Sequence, residues 1–205
     1  MPVVTGLGTD TTEAVATRTV TVTPATNALI VIISAYKDNT ADTLPTDNNA
    51  DGLGTYTQVV TALEKGSASK AKMFVRNGLI GSATSTTFTH AMGVPVDGIL
   101  AVLSISRMGK YGSAAIKQTS KQENQTAGTP APAWTNTGAY NPTVGVIMNE
   151  SNPATMTKPA SFSTEIYDVG MVASLESLFV YVGMEVVKED DGVSVNPITW
   201  GSASA

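Results

Sequence analysis

The chain has 205 residues, of which 42% are hydrophobic and only 14% are charged. Its net charge of -5 and the absence of any run of basic residues argue against nucleic-acid binding. Because the chain has no cysteine, it can form neither a disulfide framework nor a thiolate metal site.

Targeting and membrane signals are absent from the sequence. Residues 1–17 lack the basic segment and apolar run of a signal peptide. The longest apolar run, residues 28–33, is too short to cross a bilayer. We therefore expect a chain that is made in a cytoplasm and has no membrane partner.

The first third of the chain alternates between polar segments and strand patterns. Residues 1–17 are rich in Gly and Thr without a period, which predicts an extended N-terminal arm. RTVTVTP, residues 18–24, alternates valine with threonine and ends in proline, which predicts a half-exposed strand. ALIVIISAY, residues 28–36, is apolar on both faces and predicts a central strand. Residues 37–54 are typical of turns.

Four more strands are predicted in the middle of the chain, at residues 55–63, 70–77, 85–91 and 98–108. The second alternates clearly. One of its faces carries Ala71, Met73 and Val75, and the other carries Lys72, Phe74 and Arg76. The fourth is apolar on both faces over most of its length.

The last part of the chain begins with an irregular segment, residues 109–141, whose prolines and glycine suit a surface loop. Strand patterns follow at residues 143–149, 164–173 and 177–187, and residues 188–205 are polar again. These nine strand segments and the lack of a helical period predict an all-β fold. We expect a two-sheet antiparallel sandwich spanning residues 18–187, with arms at 1–17 and 188–205.

A possible calcium loop begins at Asp47. Asp47, Asn49 and Asp51 alternate and Gly52 follows, as in the first half of an EF-hand loop. The twelfth position falls on Gln58, which cannot supply a bidentate carboxylate, and no helix flanks the loop. We therefore favour a turn in which Asn and Asp side chains bind the backbone and glycine adopts a positive φ. A calcium ion held there as a staple stays open, and no metal ligand is assigned.

The sequence gives little support to an enzymatic function. His90 is the only histidine, so any Ser-His-Asp device must use it, yet no G-x-S-x-G motif is present. We expect His90 to lie at the surface or at a strand end. Two acid pairs could flank a sugar, Glu165 with Asp168 and Glu176 with Glu185. Aromatic residues are only 6%, and both tryptophans, Trp134 and Trp200, lie in irregular segments. We predict no catalytic residue and no cofactor.

The order of elements resembles a known class of virion proteins. The motifs that carry the resemblance are ALIVIISAY, GLGTYTQV, AKMFVRNG, STTFTHA and GILAVLSISRMGKYG, followed by TVGVIMN and SLFVYVGMEV. They are similar to the jelly-roll-like β-sandwich domains of tailed-bacteriophage head decoration and tail-associated proteins, over residues 18–187. Where related domains often have Asp-x-x-Gly-Asn before the aromatic residue, this chain departs from the pattern at Asp51-Gly52-Leu53-Gly54.

The resemblance implies a virion protein that forms homo-oligomers, such as trimers, and binds the major capsid protein or other virion proteins. A capsid decoration, or cement, protein is the leading hypothesis. The alternative is a carbohydrate- or receptor-binding module of a phage tail, with Trp134, Tyr140 and Tyr111 as stacking surfaces. A glycoside-active enzyme is a third and weaker hypothesis.

Overall fold

In a computed structural model, the structure describes residues 2–37, 42–59, 61–65, 69–116, 119, 141–149, 164–170 and 179–187. The regular secondary structure of these residues is β-strand, apart from one short 3-10 helix at Gly112–Ala115. The predicted all-β class is therefore confirmed. Runs of β-branched residues that are too short for helices account for it.

Nine strands lie in the first half of the chain: β1 (Val3–Asp10), β2 (Val15–Val22), β3 (Leu29–Tyr36), β4 (Thr46–Asp47), β5 (Tyr56–Gln58), β6 (Leu63–Lys65), β7 (Ser69–Arg76), β8 (Thr86–Val96) and β9 (Gly98–Ser106). Three follow later: β10 (Asn141–Asn149), β11 (Thr164–Gly170) and β12 (Phe179–Val187). Every predicted strand has a counterpart, although residues 55–63 contribute to two short strands, β5 and β6. The sequence missed β1 and β4.

Two antiparallel sheets pack against each other. The larger sheet has the order β1-β9-β3-β7-β5, with β6 also beside β7, and the smaller has the order β2-β8-β4. Strands β1 to β4 alternate between the two sheets, and β7 to β9 do the same. This winding is that of a jelly roll. A third antiparallel sheet has the order β10-β12-β11.

The core lies on both faces of the larger sheet. All eight residues of β3 are buried. Alternate β3 residues, Ile30 and Ile32, pack with Phe74 and Phe88 between the two sheets, whereas Leu29, Val31 and Ile33 belong to the cluster on the opposite face. The central strand predicted from ALIVIISAY is thus confirmed, because a strand that is buried on both faces needs apolar residues at every position.

Residues 3–10, which the sequence predicts as part of an N-terminal arm, form strand β1. Strand β1 pairs antiparallel with β9, from Val3 opposite Ser106 to Asp10 opposite Leu100. The register shifts between Gly6 and Gly8, so a bulge breaks the two-residue alternation by which a strand is recognised. β1 covers the edge of β9, which is buried on both faces. The predicted C-terminal arm, residues 188–205, lies outside the described residues.

Candidate functional site

The loop between β4 and β5 is built from Asx turns. The backbone N–H of Asn49 donates to Asp47 Oδ1 (3.0 Å), that of Asp51 to Asn49 Oδ1 (3.3 Å) and that of Leu53 to Asp51 Oδ1 (2.9 Å). Gly52 has a φ of 69°, in the region that favours glycine. The turn predicted for this segment is therefore confirmed.

Arg76, at the end of β7, supplies the positive charge in this loop. Its Nε and Nη2 donate to the two oxygens of Asp47 at 2.8 and 3.1 Å, and Nη2 and Nη1 donate to those of Asp51 at 2.6 and 3.0 Å. Tyr56 donates its hydroxyl to Asp47 Oδ2 at 2.7 Å. The side chains of Arg76 and Asp47 are fully buried. We call these four residues, Asp47, Asp51, Tyr56 and Arg76, the Arg76 cluster.

The charged groups of the Arg76 cluster stabilise one another. Hydrogen bonds from Arg76 hold the pKa of Asp51 at about 2, below its usual value of 3.8, despite partial burial. Burial alone would lower the pKa of Arg76, but Asp47 and Asp51 raise it above the usual value. Burial and the neighbouring Asp47 carboxylate raise the pKa of the Tyr56 hydroxyl well above 10.0. The charges of Asp51 and Arg76 are therefore fixed across the physiological pH range.

These contacts bear on the calcium hypothesis. Both carboxylates that would bind the ion accept paired hydrogen bonds from Arg76. Gln58, in the position of the bidentate glutamate, lies in β5. Across the described residues, no group of three or more His, Asp or Glu side chains is placed to hold a metal ion. The cluster is therefore an ionic joint between β4 of the smaller sheet and β7 of the larger one.

The predicted surface or strand-end position of His90 is wrong. His90 lies within β8 and is fully buried. Its Nδ1 is 2.8 Å from Ser34 Oγ, and its Nε2 is 2.9 Å from the carbonyl oxygen of Thr43 and 3.1 Å from Asp42 Oδ2. A carbonyl oxygen can only accept, so Nε2 carries the proton. The alternation of STTFTHA places His90 on the same inward face as Phe88.

Ser34, His90 and Asp42 are the residue types of a hydrolase triad, but their arrangement differs from one. In a triad, Nε2 faces the serine and Nδ1 faces the aspartate, whereas here the two nitrogens are exchanged. Ser34 is fully buried within β3, so its hydroxyl cannot meet a substrate. The three residues therefore form a buried polar network and not a site for acyl transfer.

Lys72 completes this second group. Its Nζ forms an ion pair with Asp42 Oδ1, and the side chains of Lys72 and Asp42 are 13% and 7% exposed. Burial raises the pKa of the Asp42 carboxyl, but hydrogen bonds from His90, Lys72 and Tyr36 outweigh it and hold that pKa well below 3.8. We call Ser34, Asp42, Lys72 and His90 the His90 cluster. It joins β3 and β7 of the larger sheet to β8 of the smaller one.

Another buried cation, Arg18, lies on β2. It is fully buried, and its Nη2 donates to the carbonyl oxygens of Thr12 (2.8 Å) and Val96 (2.6 Å). Its Nη1 lies 2.8 Å from the sulfur of Met92. Burial lowers the pKa of Arg18, and the charges of Asp10 and Asp97 oppose that shift. Arg18 thus joins the loop between β1 and β2 to the C-terminal end of β8, both at the same end of the β2–β8 pair.

The sequence did not single out Arg18, Asp42, Lys72 or Arg76. The sequence does contain a pattern that points to Lys72 and Arg76, because they share a face of the 70–77 strand with Phe74. Two cations on the inward face of a central strand require buried anions. The acidic loop that resembles a calcium site contains two such anions, Asp47 and Asp51.

The other candidates contribute less. Glu165 and Asp168 lie on β11 and Glu185 on β12, where the backbone pairing places Glu165 opposite Gly183 and Glu185 opposite Thr143. Tyr111 is 52% exposed. The remaining candidates, Trp134, Tyr140, Glu176 and Trp200, lie outside the described residues.

Comparisons with known proteins identify no relative of the chain. No protein-family model, curated protein or solved structure matches the chain. Within the part of the chain that the structure describes, no helix is both long enough and apolar enough to cross a membrane.

Proposed function

We propose that the chain is a non-enzymatic structural protein of a bacteriophage virion, a decoration protein that forms homo-oligomers on the capsid. The observation that carries this proposal is the jelly-roll winding of the two packed sheets. Jelly rolls are a recurrent fold of viral capsid proteins, and they also occur in lectins and cupins. Because a fold alone does not fix a function, the polar groups must help to choose among these classes.

The described polar groups favour a structural role over a catalytic one. The cations Arg18, Lys72 and Arg76 are engaged by the chain's own carboxylates, carbonyls and sulfur. The serine beside His90 is inaccessible. Cupins use histidine-rich metal sites inside the barrel, and this chain has one histidine. A rigid sandwich with internal ionic joints suits a building block of a shell.

The proposal is tested on purified particles of the phage that encodes the chain. We expect the chain in the particle proteome at a copy number that is a simple multiple of, or equal to, that of the major capsid protein. Light scattering of the isolated chain should give the mass of a homo-oligomer, with a trimer as the specific expectation. Absence from purified particles would contradict the proposal.

A second candidate, a receptor-binding module of a phage tail, is favoured by one observation. Tyr111 is 52% exposed and Leu53 is 53% exposed. An exposed aromatic residue is a stacking surface for sugars. Glycan-array binding that is lost in Tyr111→Ala and kept in Val3→Ala would favour this role, and particle imaging would then locate the chain on the tail.

A further inference from the structure

The His90 cluster contains the three groups that a self-formed amide cross-link requires. These are an amine (Lys72 Nζ), a carboxyl group (Asp42) that it contacts, and a proton donor (His90 Nε2) at 3.1 Å from the other carboxyl oxygen. Lys72 lies opposite Ser34 in the β3–β7 pairing, so two neighbouring strands fix the position of the amine. The carboxyl group is held between that strand pair and β8.

Aromatic rings shield the His90 side of the cluster from water. The ring of His90 packs edge-on against Phe74 and Tyr36, with centroid distances of 5.4 and 6.1 Å. His90, Phe74 and Tyr36 are at most 1% exposed. Burial favours the neutral forms of amines and carboxyl groups, and the neutral forms are the ones that condense. A fixed amine and carboxyl group also react as if each were present at very high concentration.

We propose that Lys72 and Asp42 become joined by an amide bond between Nζ and Cγ, formed by the folded chain without another enzyme. This inference is independent of the proposed virion role. The bond would tie the loop before β4 to β7, closing a covalent link across a sequence separation of 30 residues.

The reaction balances without an oxidant, a metal or a cofactor. A proton first passes from the Lys72 ammonium to the Asp42 carboxylate, leaving a neutral amine and a carboxylic acid. Nζ then attacks Cγ, and the Cγ–Oδ2 bond breaks as Oδ2 leaves as water. His90 Nε2–H donates a proton to the departing Oδ2, and the imidazole regains one from the new amide nitrogen. Oδ1, which received the proton from Lys72, passes that proton to Oδ2 and becomes the amide oxygen, and one water molecule is released.

The hydrogen bonds that keep Asp42 ionised slow this reaction. They favour the ion pair, so the neutral pair is the minor form and the cross-link should accumulate over time after folding. The unfolded chain should not form it, because denaturant separates Lys72 and Asp42 and admits water.

The test is intact-mass spectrometry of the full chain, sampled over several days after purification. We expect the folded protein to become lighter by the mass of one water molecule. Proteolysis should then release a branched peptide that joins the segments containing Asp42 and Lys72. A chain that keeps its full sequence mass throughout would overturn the proposal, and this readout needs no variant to fold.

Two variants identify the source of the lost water. Lys72→Arg keeps the positive charge but removes the amine, and it should retain the full mass. His90→Gln should slow the loss by about 10²-fold or more. Asp51-Gly52 could lose water by closing a succinimide ring on its own backbone, so a loss that persists in Lys72→Arg would overturn the proposal.

Discussion

Single residues hold the two sheets together through buried charge. Arg76 is the main case, since its guanidinium donates to both carboxylates of a loop that by sequence resembles a calcium site. A planar guanidinium matches two carboxylates in a way that a lysine ammonium does not. The acidic loop and its counter-charge are 25 and 29 residues apart in sequence, so no local pattern links them.

Removing the charge of Arg76 while keeping its bulk should be costly. We expect Arg76→Met to lower the free energy of unfolding by about 3–5 kcal/mol, because it leaves the carboxylate of Asp47 buried without a cation. Urea denaturation followed by tryptophan fluorescence or circular dichroism measures the change. The matched control is Lys110→Met at an exposed position, where we expect a change within about 0.5 kcal/mol. Equal effects for the two variants would refute the role given to Arg76.

Asp51 should make the protein sensitive to acid. Its pKa is about 2 in the folded state and 3.8 ordinarily, so the folded state binds the proton less readily than the unfolded state does. The resulting stability is complete above about pH 5 and is lost progressively as the pH falls from there through about 2. Urea midpoints measured between pH 5 and pH 2 should therefore fall less steeply in Asp51→Asn than in the wild type. Some slope should remain, because the pKa values of Asp10 and Asp42 are also lowered. Parallel slopes in the two proteins would contradict this assignment.

At the scale of elements, β1 is a strand that its own sequence pattern does not reveal, because its pairing with β9 determines it. The segment TGLGTD has no clean alternation because the bulge between Gly6 and Gly8 shifts the register. Strand β9 needs a partner on that side, since eight of its nine residues are buried. This need for a pairing partner is a property of β9, which lies almost a hundred residues away, so the sequence of β1 alone does not show it.

Two adjacent valines distinguish a paired strand from a free arm. Val4 is 6% exposed and Val3 is 49% exposed. We expect Val4→Ala to destabilise the protein by about 2 kcal/mol and Val3→Ala by less than about 0.5 kcal/mol, as measured by urea denaturation. A free arm would give the same small effect at both positions. Deleting residues 1–10 should leave β9 as an apolar open edge and promote aggregation.

At the scale of the whole molecule, the larger sheet is the most protected layer. Strand β3 has neighbours on both sides, and all eight of its residues are buried, whereas β5 is a three-residue edge strand. Backbone amides in such central strands exchange only when the sheet opens cooperatively.

Hydrogen exchange followed by mass spectrometry should reveal this order. We expect peptides from β3 and β9 to exchange slowest and those from β5 and β6 fastest, with β1 between them. Exchange of β3 as fast as that of β5 would contradict the greater protection of the central strands of the larger sheet.

The sequence by itself determined the class of the fold and most of its strands. Runs such as ALIVIISAY and KAKMFVRN carry their own evidence, because side-chain alternation and β-branching are local properties of a strand. The Asx turns of TDNNADGLG were likewise predictable, since each hydrogen bond in them spans two residues.

Only the tertiary structure decided which charges meet. Asp42, Lys72 and His90 come from a loop and two strands in different sheets, as do Asp47, Asp51 and Arg76. Their proximity follows from the alternation of strands between the sheets in a jelly roll, which no segment specifies alone. A buried charge is tolerated only beside its partner, so the residues with the most unusual chemistry were the ones that the sequence could not pair.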